Sequence, residues 1–296
     1  MEDVIPLLFL LLITVNQGLV LQTTPRPPNV GVLQFGNTRT GKLVRQRIEQ
    51  ALRETDSWRV IDSDLLRTAA KGAGYSGSLN MSLEEARNLG SALGCDYYII
   101  NEADTVARSP STGDTYYEAY AVIFVVSART GKLIKWARPA FRSSTKDSAE
   151  ELLLSNLASE TSRNSLLADL RNSEEDAVRS RDIASRTVPA IMEEAPSDDQ
   201  LAAEQGLRLP RPFRRLLPPY PESAAQAEAQ GIVDVLVDLD ARGEVTQVEV
   251  ARWAGFGLDQ ATVDTVRQLH FFPATRHGTA IPIRVLLRYN FRKPSQ

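Results

Sequence analysis

The chain has 296 residues, 43% of them hydrophobic and 24% charged, an ordinary globular balance with room for two domains. A formal net charge of -3 gives no electrostatic reason to expect nucleic acid, and the single cysteine, Cys95, excludes an internal disulfide. The two histidines, His270 and His277, lack thiol or carboxylate partners at ligand spacing, so neither a metal nor another cofactor is expected.

Val4 to Val15 is an apolar run broken only by Pro6, and apolar character resumes at Leu19 to Leu21. A core of about twelve residues suits a secretory signal better than a span of about 20. Glu2 and Asp3 stand where a positive n-region belongs, and no small-x-small cleavage pattern follows. Residues 1–22 therefore read as a signal peptide or a membrane anchor, with cleavage left open.

Residues 29–172 read as an α/β unit. Val30 to Phe35 is a strand, Thr40 to Glu54 a helix with Val44, Ile48 and Leu52 on one face, and Trp58 to Ile61 a second strand. Ser82 and Glu85 form a capping box that opens a helix carrying Ala86, Leu89 and Leu93, and Gly94 stops it. Tyr97 to Asn101, Tyr116 to Ser127 and Leu133 to Ala137 are further strands, and 146–172 is predicted as one helix. Cys95, at the start of an apolar strand, reads as a buried small residue rather than a nucleophile.

Gly36 to Lys42 matches G-x-x-x-x-G-K, the loop whose amides cradle nucleotide phosphates. Leu43 then stands where Ser or Thr would hold magnesium, and no strand ends in an Asp placed for the second metal contact. Turn and cap chemistry explains the same residues. The chain is predicted to be no enzyme, with a P-loop NTPase kept as a remote alternative. Residues 173–214 read as a charged segment and linker, with Arg208, Arg211, Arg214 and Arg215 as a basic cluster before Pro218.

Residues 215–292 carry the most legible pattern. Val233, Val235, Val237 and Leu239 alternate with Asp234 and Asp238, giving a strand with one core face and one wet face. Asp240 to Gly243 supply a turn, and Val245 to Trp253 return as its hairpin partner. Leu258, Ala261, Val266 and Leu269 share a helical face, with Asp259 in the first turn. Ile281 to Phe291 alternate as a final strand. The fold class is α+β, an amino-terminal α/β sandwich-like domain followed by a small ββαβ domain.

With Pro218-Pro219-Tyr220-Pro221 ahead of it and Phe271-Phe272-Pro273-Ala274 within it, this block resembles the TonB carboxy-terminal domain. Residues 29–172 resemble, more diffusely, the TolB amino-terminal domain and its CsgG-like relatives. These resemblances imply a periplasmic protein, anchored to the inner membrane if residues 1–22 are retained. The implied partner is the plug segment of an outer-membrane TonB-dependent receptor, with energy transduction for transmembrane transport as the implied role. Coupling to an ExbB-ExbD-like motor is left open, since Val4 to Leu21 holds only Thr14, Asn16 and Gln17 as polar residues and no His. A passive envelope scaffold or adaptor is the alternative.

Strand addition is the implied binding chemistry. The expected contacts are Pro218, Pro219, Tyr220 and Pro221 together with Ile281, Ile283, Arg284, Val285, Leu287 and Tyr289. Pro282 suits an edge, where it donates to no ladder, and Arg284 and Arg288 would deter indiscriminate pairing. Pro218 to Pro221 as a simple cap on the domain entrance is the competing reading.

Overall fold

The structure, a computed structural model, describes residues 26–55, 57–186, 192–196 and 198–293. The expected signal peptide or anchor over 1–22 lies outside the described residues.

The amino-terminal part runs β1 (Asn29–Gln34), α1 (Arg39–Arg53), β2 (Arg59–Val60), α2 (Ser63–Gly72), β3 (Met81–Ser82), α3 (Leu83–Leu93), β4 (Tyr97–Arg108), β5 (Tyr116–Ser127), β6 (Leu133–Ala137), β7 (Ala140–Ser143), α4 (Lys146–Ala158) and α5 (Glu160–Arg186). Its sheet is ordered β2-β1-β4-β5-β6, with β7 also on β5; β2, β1 and β4 are parallel and the remaining pairs antiparallel. Because side chains alternate across a strand, the central strands feed two cores. Val30, Val32, Ile99 and Val125 pack with Val44, Ile48 and Leu52 of α1 and with Leu153 and Leu170 of α4 and α5, whereas Leu33, Tyr98, Ile100 and Phe124 face the other way.

Local signals set the helix ends. Glu85 N donates to Ser82 Oγ (3.1 Å), Ser82 N donates to Glu85 Oε2 (2.7 Å), and Gly94 closes α3 with φ 64, a left-handed conformation that glycine adopts without strain. The helix predicted over 146–172 is interrupted at Ser159, whose ψ of 145 is extended and whose hydroxyl accepts from Ser162 N at 3.2 Å to start α5.

The carboxy-terminal part runs α6 (Asp199–Glu204), β8 (Leu207–Arg208), β9 (Arg211–Pro212), α7 (Glu222–Ala227), β10 (Gly231–Leu239), β11 (Val245–Trp253), α8 (Leu258–Val266), β12 (Phe271–Phe272), β13 (Ala274–Arg276), β14 (Thr279–Ile281) and β15 (Ile283–Phe291). The main sheet is antiparallel, in the order β15-β10-β11-β3, with α8 packed on β10 and β11. The α+β class and the ββαβ order are those the sequence predicts.

Three expectations need correction. The segment read as linker carries α5 onward to Arg186 and then α6, β8 and β9; β8 pairs with β13 and β9 with β12, because Ala202 and Leu207 are buried against the carboxy-terminal core. The strand predicted from Ile281 to Phe291 is divided at Pro282, which has no N–H for a ladder: Ile281 belongs to β14 and pairs with Ala274, and only β15 joins β10. The face of β10 read as wet holds Asp234 and Asp238 at 5% and 6% exposure.

The two parts share one core. Met81 and Ser82 of β3 pair with Trp253 and Arg252 at the end of β11. Asn80 donates to Ile232 O (2.8 Å) and Trp253 O (2.6 Å) and accepts from Ile232 N (3.0 Å). Trp253, fully buried, donates from Nε1 to Gly131 O (2.9 Å) and meets Phe124 edge to face at 5.7 Å.

Candidate partner-binding edge

A four-stranded sheet has two edges, and on the β11 side it ends in β3, a strand of two residues that pairs with Arg252 and Trp253 alone. The other edge is β15. It pairs with β10 through an unbroken register from Gly231↔Phe291 to Leu239↔Ile283. In an antiparallel ladder alternate residues turn their backbone groups toward the neighbour or away from it. Arg284 turns away, since its N–H donates to Glu193 O (2.8 Å) and its carbonyl accepts from Ala195 N (2.8 Å). Leu286, Arg288 and Asn290 share that parity and present the outer donors and acceptors. Val285 has the opposite parity, and its backbone belongs to the β10 ladder.

Side chains sort the same way. Ile283 and Val285 are core residues, and Leu287 and Tyr289 are half-buried against that core. On the opposite face Arg284 grips Asp238 through two bonds (2.5 and 2.8 Å), and Arg288 grips Asp234 (2.7 and 2.9 Å). These cross-strand forks raise both guanidinium pKa values and cover the aspartates beneath them. The two arginines expected to act as free edge charges are therefore committed to β10.

Beside the end of β15 lies a groove of about 600 Å³. Leu216, Leu217, Pro218 and Tyr220 form one side, Leu287, Tyr289 and Phe291 the other, and Arg214, Arg215, Arg288 and Arg292 surround it. Leu217 is 86% exposed, an unusual position for leucine that makes the groove wall apolar. The Tyr220 hydroxyl donates to Ala229 O (2.5 Å) and so fastens the chain behind α7, while desolvation raises its pKa. Its ring alone is available to the groove.

The predicted contacts are thus only partly brought together. Pro218, Tyr220, Leu287 and Tyr289 meet in the groove. Arg284 lies further along the edge; Ile283 and Val285 are core; Ile281 is in another sheet; Pro221 is the residue before α7; and Pro219 is exposed away from the groove lining. The engagement of Arg284 by Glu193 and Ala195 has no local sequence signal, because the contact joins segments distant in the chain.

The phosphate-loop pattern folds as a helix cap. Thr38 caps α1 and accepts from Gly41 N (2.9 Å), so an amide that a phosphate cradle needs is occupied, and Lys42 lies within the helix, exposed. Cys95 is half-buried, its thiol 3.8 Å from Gly90 O, and burial pushes it up to about 12, which keeps it protonated at neutral pH.

Residues 217–292 match the family described as Gram-negative bacterial TonB protein C-terminal. Protein TonB of Xanthomonas campestris pv. campestris (strain B100) is 39% identical over 75 residues, which are 25% of this chain and 34% of that protein. The chain thus spans about a third of the length of the curated relatives it matches. Among solved structures, the Pseudomonas aeruginosa TonB CTD aligns at 19% identity with TM-score 0.26, covering 29% of this chain and 89% of that one. The LpoB C-terminal domain from Salmonella enterica aligns at 13% identity with TM-score 0.28, covering 40% and 84%. β15 and most of the groove lie within residues 217–292, which match the TonB C-terminal family, and Arg214, Arg215 and Leu216 lie just before them.

Proposed function

We propose that this chain is a non-enzymatic protein of the Gram-negative cell envelope that binds the plug segment of an outer-membrane receptor by adding it as a strand to β15, and that it works on the periplasmic side of the inner membrane. The observation that carries this reading is the outward backbone of Leu286, Arg288 and Asn290 beside a groove of apolar and basic residues. Main-chain bonds to that edge would supply affinity and the groove would set register. Force transmission is the natural extension for a TonB-type domain, driven by an ExbB-ExbD-like motor if the chain is anchored.

The passive-adaptor reading draws on a different observation. The carboxy-terminal domain shares its core with the amino-terminal one, an arrangement that suits a fixed adaptor. Reconstituted transport across an outer membrane, present or absent with binding intact, separates the two.

The binding test is a pull-down of the full chain with synthetic receptor plug segments. Leu286→Pro removes an outward donor at an exposed position and should lower capture by about tenfold or more, whereas Leu286→Ala should leave it nearly unchanged. Equal capture by a folded Leu286→Pro variant would rule out strand addition at this edge. Val285→Pro is not a usable test, because it breaks the β10 ladder itself.

A further inference from the structure

The outer edge of β15 is already touched by another part of the same chain. Glu194 forms a parallel bridge with Arg284, made by Ala195 N donating to Arg284 O and Arg284 N donating to Glu193 O, both at 2.8 Å. The Glu193 carboxylate pairs with the Arg276 guanidinium of β13, and Ala195 rests against the carboxy-terminal core. Backbone, charge and packing therefore hold three consecutive residues on the edge. Among the described residues this is the single engagement of that edge; the groups of Leu286, Arg288 and Asn290 beyond it join no named strand.

We propose that Glu193–Ala195 is an internal strand that competes for the partner edge and must leave Arg284 before an external strand can pair along the whole of β15. This rests on the strand-addition reading above. The arrangement is that of a displacement reaction. An incoming segment first pairs with Leu286 to Asn290, next to the groove, and then advances toward Ile283, peeling away a contact only one bridge long. The short latch resists less than the nine-residue β10 ladder on the other side of β15, so the internal strand leaves while the sheet stays intact. Since the competitor is tethered, it lowers the apparent affinity for an outside strand by the fraction of molecules whose edge is free. It also covers a sheet edge that would otherwise pair with other chains.

The test uses the full chain and two measurements. Amide exchange at Arg284 reads the bridge, and anisotropy of a labelled receptor plug-segment peptide reads competition. Ala195→Pro removes the donor to Arg284 O. It should raise exchange at Arg284 and strengthen plug-segment binding by about tenfold. Glu193→Gln keeps the backbone unchanged, weakens the hold on Arg276, and should move both readouts in the same direction by less, which covers failure of the proline variant to fold. Slow exchange at Arg284 in wild type that quickens in the variants, with tighter peptide binding, supports the latch. The same exchange pattern with no peptide binding to any form leaves the edge cover standing and refutes the partner reading. Peptide binding of equal strength to wild type and both variants keeps the partner reading and overturns the latch, as does an Arg284 amide that exchanges as fast in wild type as in Ala195→Pro.

Discussion

Asp259 shows how position rewrites a common residue. Its carboxylate, in the first turn of α8, accepts N–H bonds from Ala254 (2.7 Å) and Gly255 (2.9 Å) where the hairpin turns into the helix. Those bonds favour the charged form, yet burial outweighs them and pushes the carboxyl up to about 6 from an ordinary 3.8. It lines the crevice where Lys132, Trp136 and Glu249 of the two domains face each other. Because the folded chain holds this proton more tightly than the unfolded one, the associated stability is complete below about pH 4 and disappears as pH rises through 6. Asp259→Asn mimics the neutral form. Between pH 4 and pH 7.5 it should gain about 2 kcal/mol relative to wild type in urea unfolding. A gap between the two proteins that does not change with pH would show that Asp259 titrates as an ordinary carboxylate.

At the scale of elements, β10 and β15 are held by buried aspartates under arginine forks as well as by their ladder. Asp238 has Arg284 as its ion-pair partner, whereas Asp234 keeps Arg252 at 3.6 Å if Arg288 is removed. Arg284→Ala strands a buried carboxylate and should cost about 2 kcal/mol, and Arg288→Ala, whose side chain is largely exposed, about 1 kcal/mol or less. Denaturant titration of the two variants checks the order, and equal costs would remove the asymmetry argued here. This also marks where sequence reading stopped. The capping box at Ser82 and Glu85, the Asp240 to Gly243 turn and the inward face of β15 were legible because each is local or periodic. The wet face assigned to Asp234 and Asp238 was not, since the arginines that cover them lie 54 and 46 residues away. Pro282 was recognised as a poor ladder donor, but its division of the last strand depends on β13 offering Ile281 a different neighbour. Of the candidate groove, Pro218, Tyr220, Leu287 and Tyr289 were named from sequence, and the basic cluster at Arg214 and Arg215 was seen without its place beside Tyr289.

In the whole molecule, the TonB-type domain does not hang free from the amino-terminal domain. Trp253 fills the junction, with Phe124 of β5 at 5.7 Å, and Phe256 continues the cluster to Phe124 (5.5 Å) and Trp136 (5.6 Å). Asn80 clamps the backbone of Ile232 and Trp253, and Arg252 reaches Glu85 at 3.0 Å. A load applied at β15 would cross this junction into the sheet of the amino-terminal domain, so cooperativity between the two should be measurable without any partner. We predict one unfolding transition for the full chain, seen alike by far-ultraviolet circular dichroism and by tryptophan fluorescence, to which Trp58 contributes from the core remote from the junction and Trp136 and Trp253 from the junction itself. Trp253→Ala opens a large cavity there and should cost about 3–5 kcal/mol. Asn80→Ala leaves part-buried backbone groups of Ile232 and Trp253 without these partners and should cost about 1–2 kcal/mol while sparing the aromatic cluster. In both variants the two probes should separate, the carboxy-terminal domain melting first. Separate transitions already present in wild type, or Trp253→Ala unfolding with the probes still coincident and at wild-type stability, would mean that the junction is a contact without coupling, and force delivered to β15 would stop at the carboxy-terminal domain.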